Sequence, residues 1–154
     1  MPRDLIIVLS GIVGTIGFSV LFGVKKRNLL FAILGGFVAG VVYVLTQTAG
    51  TFAASAAAAF AATMYCEIIA RIRKAPVVTF LTPSIVVLVP GSALYYTVAN
   101  LIAKKYDDMW TYGLLTIDAC LGISAGILVA SLVFTVFLNI RKKITAHKAA
   151  RVQK

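Results

Sequence analysis

Pro76-Val77-Val78-Thr79-Phe80-Leu81-Thr82-Pro83-Ser84-Ile85-Val86-Val87-Leu88-Val89-Pro90-Gly91-Ser92-Ala93-Leu94-Tyr95-Tyr96 is the stretch on which the fold turns. It lies within 29 consecutive uncharged residues, 75–103. A helix needs about 20 mostly apolar residues to cross the hydrocarbon layer, so this segment is long enough to span. Pro76 suits a helix start. Pro83 and Pro90 do not, because each removes an internal hydrogen bond and clashes with the preceding turn. Gly91 adds a flexible residue at the second of them. The apolar halves on either side of Pro90, 77–89 and 91–103, have 13 residues each and are too short to span alone. The reading is a membrane helix broken near its middle, at Pro83 and at Pro90-Gly91. A simple proline kink is the alternative. A true break leaves free amides at the start of the second half, where the helix dipole favours an anion such as a carboxylate. Discontinuous helices of this kind build substrate sites in secondary transporters. Thr82, Ser84 and Ser92 stand beside the breaks as small hydroxyls.

The rest of the chain has the same character. Of 154 residues, 60% are hydrophobic and 13% charged, and the mean hydropathy is +0.97. Soluble domains run about 45–50% apolar and about 25% charged. This composition excludes a water-soluble globule and a disordered chain, and two separated cysteines exclude a disulfide scaffold. Residues 5–22 carry no charge, nor do 28–66, which are long enough for two crossings divided at the polar cluster 46–51. Residues 109–140 carry one, Asp118. The expected fold is therefore all-α: a polytopic bundle of about five transmembrane helices over 1–140, with approximate spans 4–22, 28–46, 51–70, 76–103 and 110–140. A basic tail, 141–154, follows. Barrel strands would show strict alternation over about 10 residues, which is absent. The first span lacks a cleavage site after Phe22 and reads as a retained helix.

The net charge of +10 is distributed by side. Twelve Lys and Arg follow spans one, three and five, and three lie on the other face. By the positive-inside rule the amino terminus is outside and the carboxyl terminus cytoplasmic; the membrane expected is the plasma (inner) membrane. Tyr95, Tyr96, Tyr106, Trp110 and Tyr112 gather at the outer ends of spans four and five, as interfacial anchors do. The tail is expected against anionic lipid, and no motif points to nucleic acid.

Residues for enzyme chemistry are scarce. The one histidine, His147, is in the basic tail, and Cys66 and Cys120 have no metal or redox spacing. No catalytic site, metal or cofactor is expected. Asp118 is an ionisable group in a span, which is functional by default; it is the candidate proton carrier, unless it lies near the outer headgroups. Glu67 stands one helical turn before Arg71 and is expected to pair with it at the interface. Gly36 with Gly40, and Gly122 with Gly126, have the four-residue spacing that lets helices approach closely. So many close-contact faces suggest that some are filled by another chain.

The run Glu67-Ile68-Ile69-Ala70-Arg71, then Lys74-Ala75-Pro76, then Thr82-Pro83-Ser84 and Leu88-Val89-Pro90-Gly91-Ser92, resembles the signature region of the threonine/serine exporter family. The resemblance covers nearly the whole chain and matches the carboxyl-terminal half of fused, roughly ten-span members. It implies a small subunit of a two-component secondary exporter, working with a larger membrane subunit of the same family. The solutes it implies are threonine and serine or succinate-type dicarboxylates, all carrying a carboxylate, with export driven by protons. Pro90, Gly91, Ser92, Pro83, Ser84 and Thr82 would form the solute site. The rival expectation is a non-transporting assembly subunit with the solute path in the partner. The sequence leaves a homo-oligomer open.

Overall fold

The computed structural model describes residues 3–152, with side chains described over 5–140. The side chains of the basic tail therefore fall outside the described residues. Six helices follow one another: α1 (Arg3–Leu21), α2 (Lys26–Thr46), α3 (Thr51–Arg73), α4 (Val78–Val86), α5 (Gly91–Ile102) and α6 (Tyr106–Val152). A 3-10 turn, Gln47–Ala49, joins α2 to α3, and there is no strand among the described residues. The backbone of the tail continues α6 as helix through Val152.

The connections are short because left-handed residues end the helices abruptly. Gly23 (φ 66°) follows α1, Gly50 (φ 97°) precedes α3, and Lys74 (φ 51°) closes α3. At that last site Lys74 N–H donates to the Ala70 and Arg71 carbonyls, and Ala75 N–H donates to the Ala70 carbonyl at 3.0 Å. These are the orphan carbonyls that a helix end leaves over.

Among the described residues three helical segments are long and apolar enough to cross a membrane: Lys26–Ala49, Thr51–Arg73 and Tyr106–Ile140. The pair α4 and α5 makes a fourth, bent by 49° at its break. The apolar part of α1, Leu5–Leu21, is shorter. At 1.5 Å per residue it measures about 26 Å against a hydrocarbon layer of about 30 Å.

α3 is the central post, packed on α2, α4 and α6, while α1 packs on α2 and α4. Its alanine run explains how. Ala54, Ala58, Ala59 and Ala62 are buried, and α6 brings Gly122 and Gly126 against them. A Cβ at Gly122 would strike the Phe52 carbonyl oxygen, and one at Gly126 that of Ala56. On α2, a Cβ at Gly35 would strike the Ser84 hydroxyl and one at Gly36 the Thr15 side chain; one at Gly40 would sit 3.7 Å from Val8 Cα. Small residues here buy backbone approach. Within the bundle Gly36 thus meets α1 at Thr15, Gly40 meets α1 at Val8, and Gly122 and Gly126 meet α3; sequence spacing alone does not say which neighbour fills a face.

Glu67 and Arg71 form the expected ion pair at 3.4 Å. Arg71 also lies over the Phe134 ring, 4.5 Å from its centroid, a cation–π contact between α3 and α6.

Candidate functional site: a broken span between two cavities

The fourth passage breaks at one of its two internal prolines. Pro83 stands inside α4, which runs on to Val86, so the second expected break is not there. Pro83 removes only the bond to the Thr79 carbonyl, and the buried packing around Phe80 and Ser84 holds the turn in place. At Val86 the helix tightens: Leu88 N–H donates to Ile85 O at 2.9 Å and Val89 N–H to Val86 O at 3.2 Å. Pro90 then takes φ −77° and ψ 62°, and Gly91 N–H donates to the Val89 carbonyl at 2.8 Å. This is an inverse γ-turn centred on proline. The Gly91 N–H is therefore not free. The free donors at the start of α5 are the N–H groups of Ser92 and Ala93, since Leu94 N–H already donates to Pro90 O at 3.0 Å.

Two cavities meet the fourth passage. One, of about 840 Å³, lies at the basic end of the bundle and reaches Thr79, Thr82 and Pro83 on α4. The other, of about 450 Å³, lies at the opposite end. Val87, Pro90, Ser92 and Ala93 line it on one side and Gly11, Gly40, Tyr43 and Ser55 on the other. Tyr96 and Tyr112 also line it, their rings 5.2 Å apart between centroids. Gly91 does not line it, and a Cβ there would meet nothing within 4 Å.

Between the cavities lies a closed layer. Thr15, Cys66, Phe80 and Ser84 are each fully buried. The Ser84 hydroxyl donates to the Phe80 carbonyl at 2.7 Å and lies 3.3 Å from that of Ala32 on α2; the Cys66 thiol donates to Ser84 Oγ at 3.9 Å. From Pro83, facing one cavity, to Val87, facing the other, the chain advances four residues, about 6 Å of helix. The barrier is thus about one turn thick.

The residues named from sequence divide accordingly. Thr82 and Pro83 face the basic cavity, Pro90 and Ser92 the tyrosine-lined one, and Ser84 the layer between. Asp118 is exposed on α6 and lines neither cavity, although its neighbour Ala119 lines the second. Ser55 was missed. Its hydroxyl is buried, lies at the wall of the tyrosine-lined cavity and has no hydrogen-bond partner. The signal was present: it is the one hydroxyl in an alanine run, and a buried unpaired polar group costs about 1–3 kcal/mol unless something uses it. Among the described residues no three His, Cys, Asp or Glu side chains come together to hold a metal.

An all-helical bundle with apolar spans, one of them interrupted between two chambers, has the architecture of a multi-pass membrane protein of transporter type. Residues 7–133 match the family model described as Threonine/Serine exporter, ThrE, and the chain belongs to that family. It is a transporter family, in keeping with the scarcity of catalytic residues. No curated protein and no solved structure matches the chain.

Proposed function

We propose that this chain is the small subunit of a two-component secondary exporter of small carboxylates, threonine and serine or succinate-type dicarboxylates. It works with a larger membrane subunit of the same family, in the plasma membrane, with its amino terminus outside and its basic end in the cytoplasm. The observation that carries the reading is the pair of cavities meeting the fourth passage from opposite ends, with one helical turn of packing between them. Opening that layer on one side while it closes on the other is what alternating access requires. Ser92 and Ala93 N–H groups, at the positive end of the twelve-residue α5, suit a solute carboxylate in the outer cavity. The bias of twelve Lys and Arg against three supports the orientation. Asp118 carries the coupled proton in this reading, from a position beside the outer cavity rather than in it.

The test is co-expression with a candidate larger subunit, followed by efflux of labelled threonine and labelled succinate. Efflux should need both chains, and Asp118→Asn should flatten its pH dependence. Full efflux from the purified partner alone in liposomes would instead make this chain an assembly subunit. An unchanged pH profile would remove Asp118 from the mechanism.

A further inference from the structure

The basic-end cavity combines a wall of one charge with an apolar side that faces out of the bundle. Lys25, Arg27, Arg73 and Lys74 line it, and no acidic residue does. We propose that it is a phospholipid site: the phosphate of one anionic lipid sits among these four cations, and its acyl chains run down the outside of α1. The proposal stands apart from the transport reading and needs only that this end of the bundle meets the bilayer surface.

Three observations lead there. First, the cations of this face are not equivalent. Arg71 is neutralised by Glu67 at 3.4 Å, and neither it nor Lys26 lines the cavity. Arg73 does line it, is half-buried and has no carboxylate partner among the described residues. Its Nε donates to Asn28 Oδ1 at 3.3 Å and its Nη2 to the Arg27 carbonyl at 3.0 Å, and the guanidinium lies 4.8 Å from the Phe31 ring centroid. These uncharged contacts hold the guanidinium in the wall and leave its remaining N–H groups for a ligand. Fixed in this way it keeps its charge and matches the geometry of phosphate oxygens. The positive-inside bias explains cations on this face; it does not explain a fixed, acid-free arginine inside a cavity. Second, the cavity has an apolar flank. Phe22, just after α1, and Val78, the first residue of α4, both line it and are 50% and 67% exposed. Phe22 stacks on Phe18, one turn further from the basic end, with ring centroids 6.1 Å apart. In a bilayer such a strip meets acyl chains. A cationic rim above an apolar strip fits an amphiphile, whereas a soluble anion would use the rim alone. Third, α1 is short. Its apolar part, Leu5–Leu21, falls about 4 Å below the thickness of the hydrocarbon layer. A short span is met by local thinning of the bilayer, which draws headgroups inward beside it.

Each Lys or Arg close to an anionic lipid surface strengthens the attraction by about fivefold. A headgroup with net negative charge gains that factor at each cation of the cavity. Phosphatidylcholine, whose choline offsets its phosphate, does not.

The experiment uses the full chain in dodecyl maltoside micelles holding equal amounts of phosphatidylglycerol and phosphatidylcholine, with the lipid retained by each chain counted by native mass spectrometry. Phosphatidylglycerol should be retained in preference, by about tenfold or more. The cavity variant Lys25→Gln with Lys74→Gln should hold it about twenty-five-fold more weakly, from about fivefold for each cation removed. Lys26→Gln with Lys105→Gln removes the same charge outside the cavity and should stay within about twofold of the parent. No preference in the parent chain, or equal losses in the two variants, overturns the proposal. Should the cavity variant fail to fold, a phosphatidylglycerol carrying a diazirine on its acyl chain decides on the parent chain alone. Crosslinks concentrated around Phe18 and Phe22 support the site, and crosslinks spread evenly over α1 and α6 overturn it. Inorganic phosphate and succinate, each compared with chloride at equal ionic strength, separate a lipid headgroup from a soluble anion. A lipid that neither displaces supports the proposal; displacement by either beyond that by chloride assigns the cavity to a soluble anion and overturns it.

Discussion

Gly35→Ala is the most direct probe of the closed layer. An added Cβ would collide with the Ser84 hydroxyl, lie 3.2 Å from Ser84 Cβ and touch Cys66 Sγ at 3.5 Å. Ser84 cannot rotate away without giving up its 2.7 Å bond to the Phe80 carbonyl. Overpacking of this kind costs about 1–3 kcal/mol. Ser84→Ala removes the obstructing oxygen and loses the bond it donates to the Phe80 carbonyl and the weaker one it accepts from the Cys66 thiol, about 0.6 kcal/mol or a little more by the average for membrane helices. In the double variant the two methyl groups are tight but no longer collide. The two changes should therefore couple by about 1–2 kcal/mol, well beyond the ~0.3–0.5 kcal/mol error of additivity for independent sites. Reversible unfolding of the four proteins in mixed micelles, followed by circular dichroism at rising fractions of denaturing detergent, measures each free energy. Simple additivity would show that α2 and α4 do not meet at this point, and the barrier between the cavities would lose its main contact.

Two other expectations follow from the same geometry. Gly126→Ala should destabilise more than Gly35→Ala, by about 3 kcal/mol or more in the same assay, because the colliding atom is the Ala56 backbone oxygen and cannot swing aside; Gly91→Ala, with no neighbour within 4 Å, should stay within ~0.5 kcal/mol of the parent. In a chain carrying Cys120→Ser, a membrane-impermeant maleimide should label Thr79→Cys and Ser92→Cys from opposite faces of the membrane and Ser84→Cys from neither, as their places in the two cavities and the buried layer require. Labelling of both cavity positions from one face would contradict the opposed cavities.

Much of this is legible in the sequence. Uncharged runs of 18 to 39 residues give the spans because lipid offers no other partner for backbone polar groups. Pro90-Gly91 announces the break through lost bonds and a locked torsion. Pro83 misleads because a proline's cost depends on whether the surrounding packing holds the turn, and the buried neighbours Phe80 and Ser84 are a tertiary fact. Which amides at the start of the second half stay free is not legible either: the γ-turn at Pro90 takes that of Gly91 and leaves those of Ser92 and Ala93. The pairing of Glu67 with Arg71 is local and was readable. The gathering of Lys25, Arg27, Arg73 and Lys74 around one cavity was not. Those residues come from two loops 46 to 49 positions apart, and only the packing of α2, α3 and α4 brings them together.

α5 buries none of its twelve residues, and its one substantial neighbour is α6. Its tilt is thus inherited: whatever reorients α6 carries the outer half of the passage along, while α4 stays wedged among α1, α2 and α3. The joint between them is Pro90, whose ring clamps φ near its present −77° and leaves ψ as its freer axis. An elbow with one stiff torsion confines any swing to a narrow arc, and the wall it would carry is the one that bears Ser92 and Ala93.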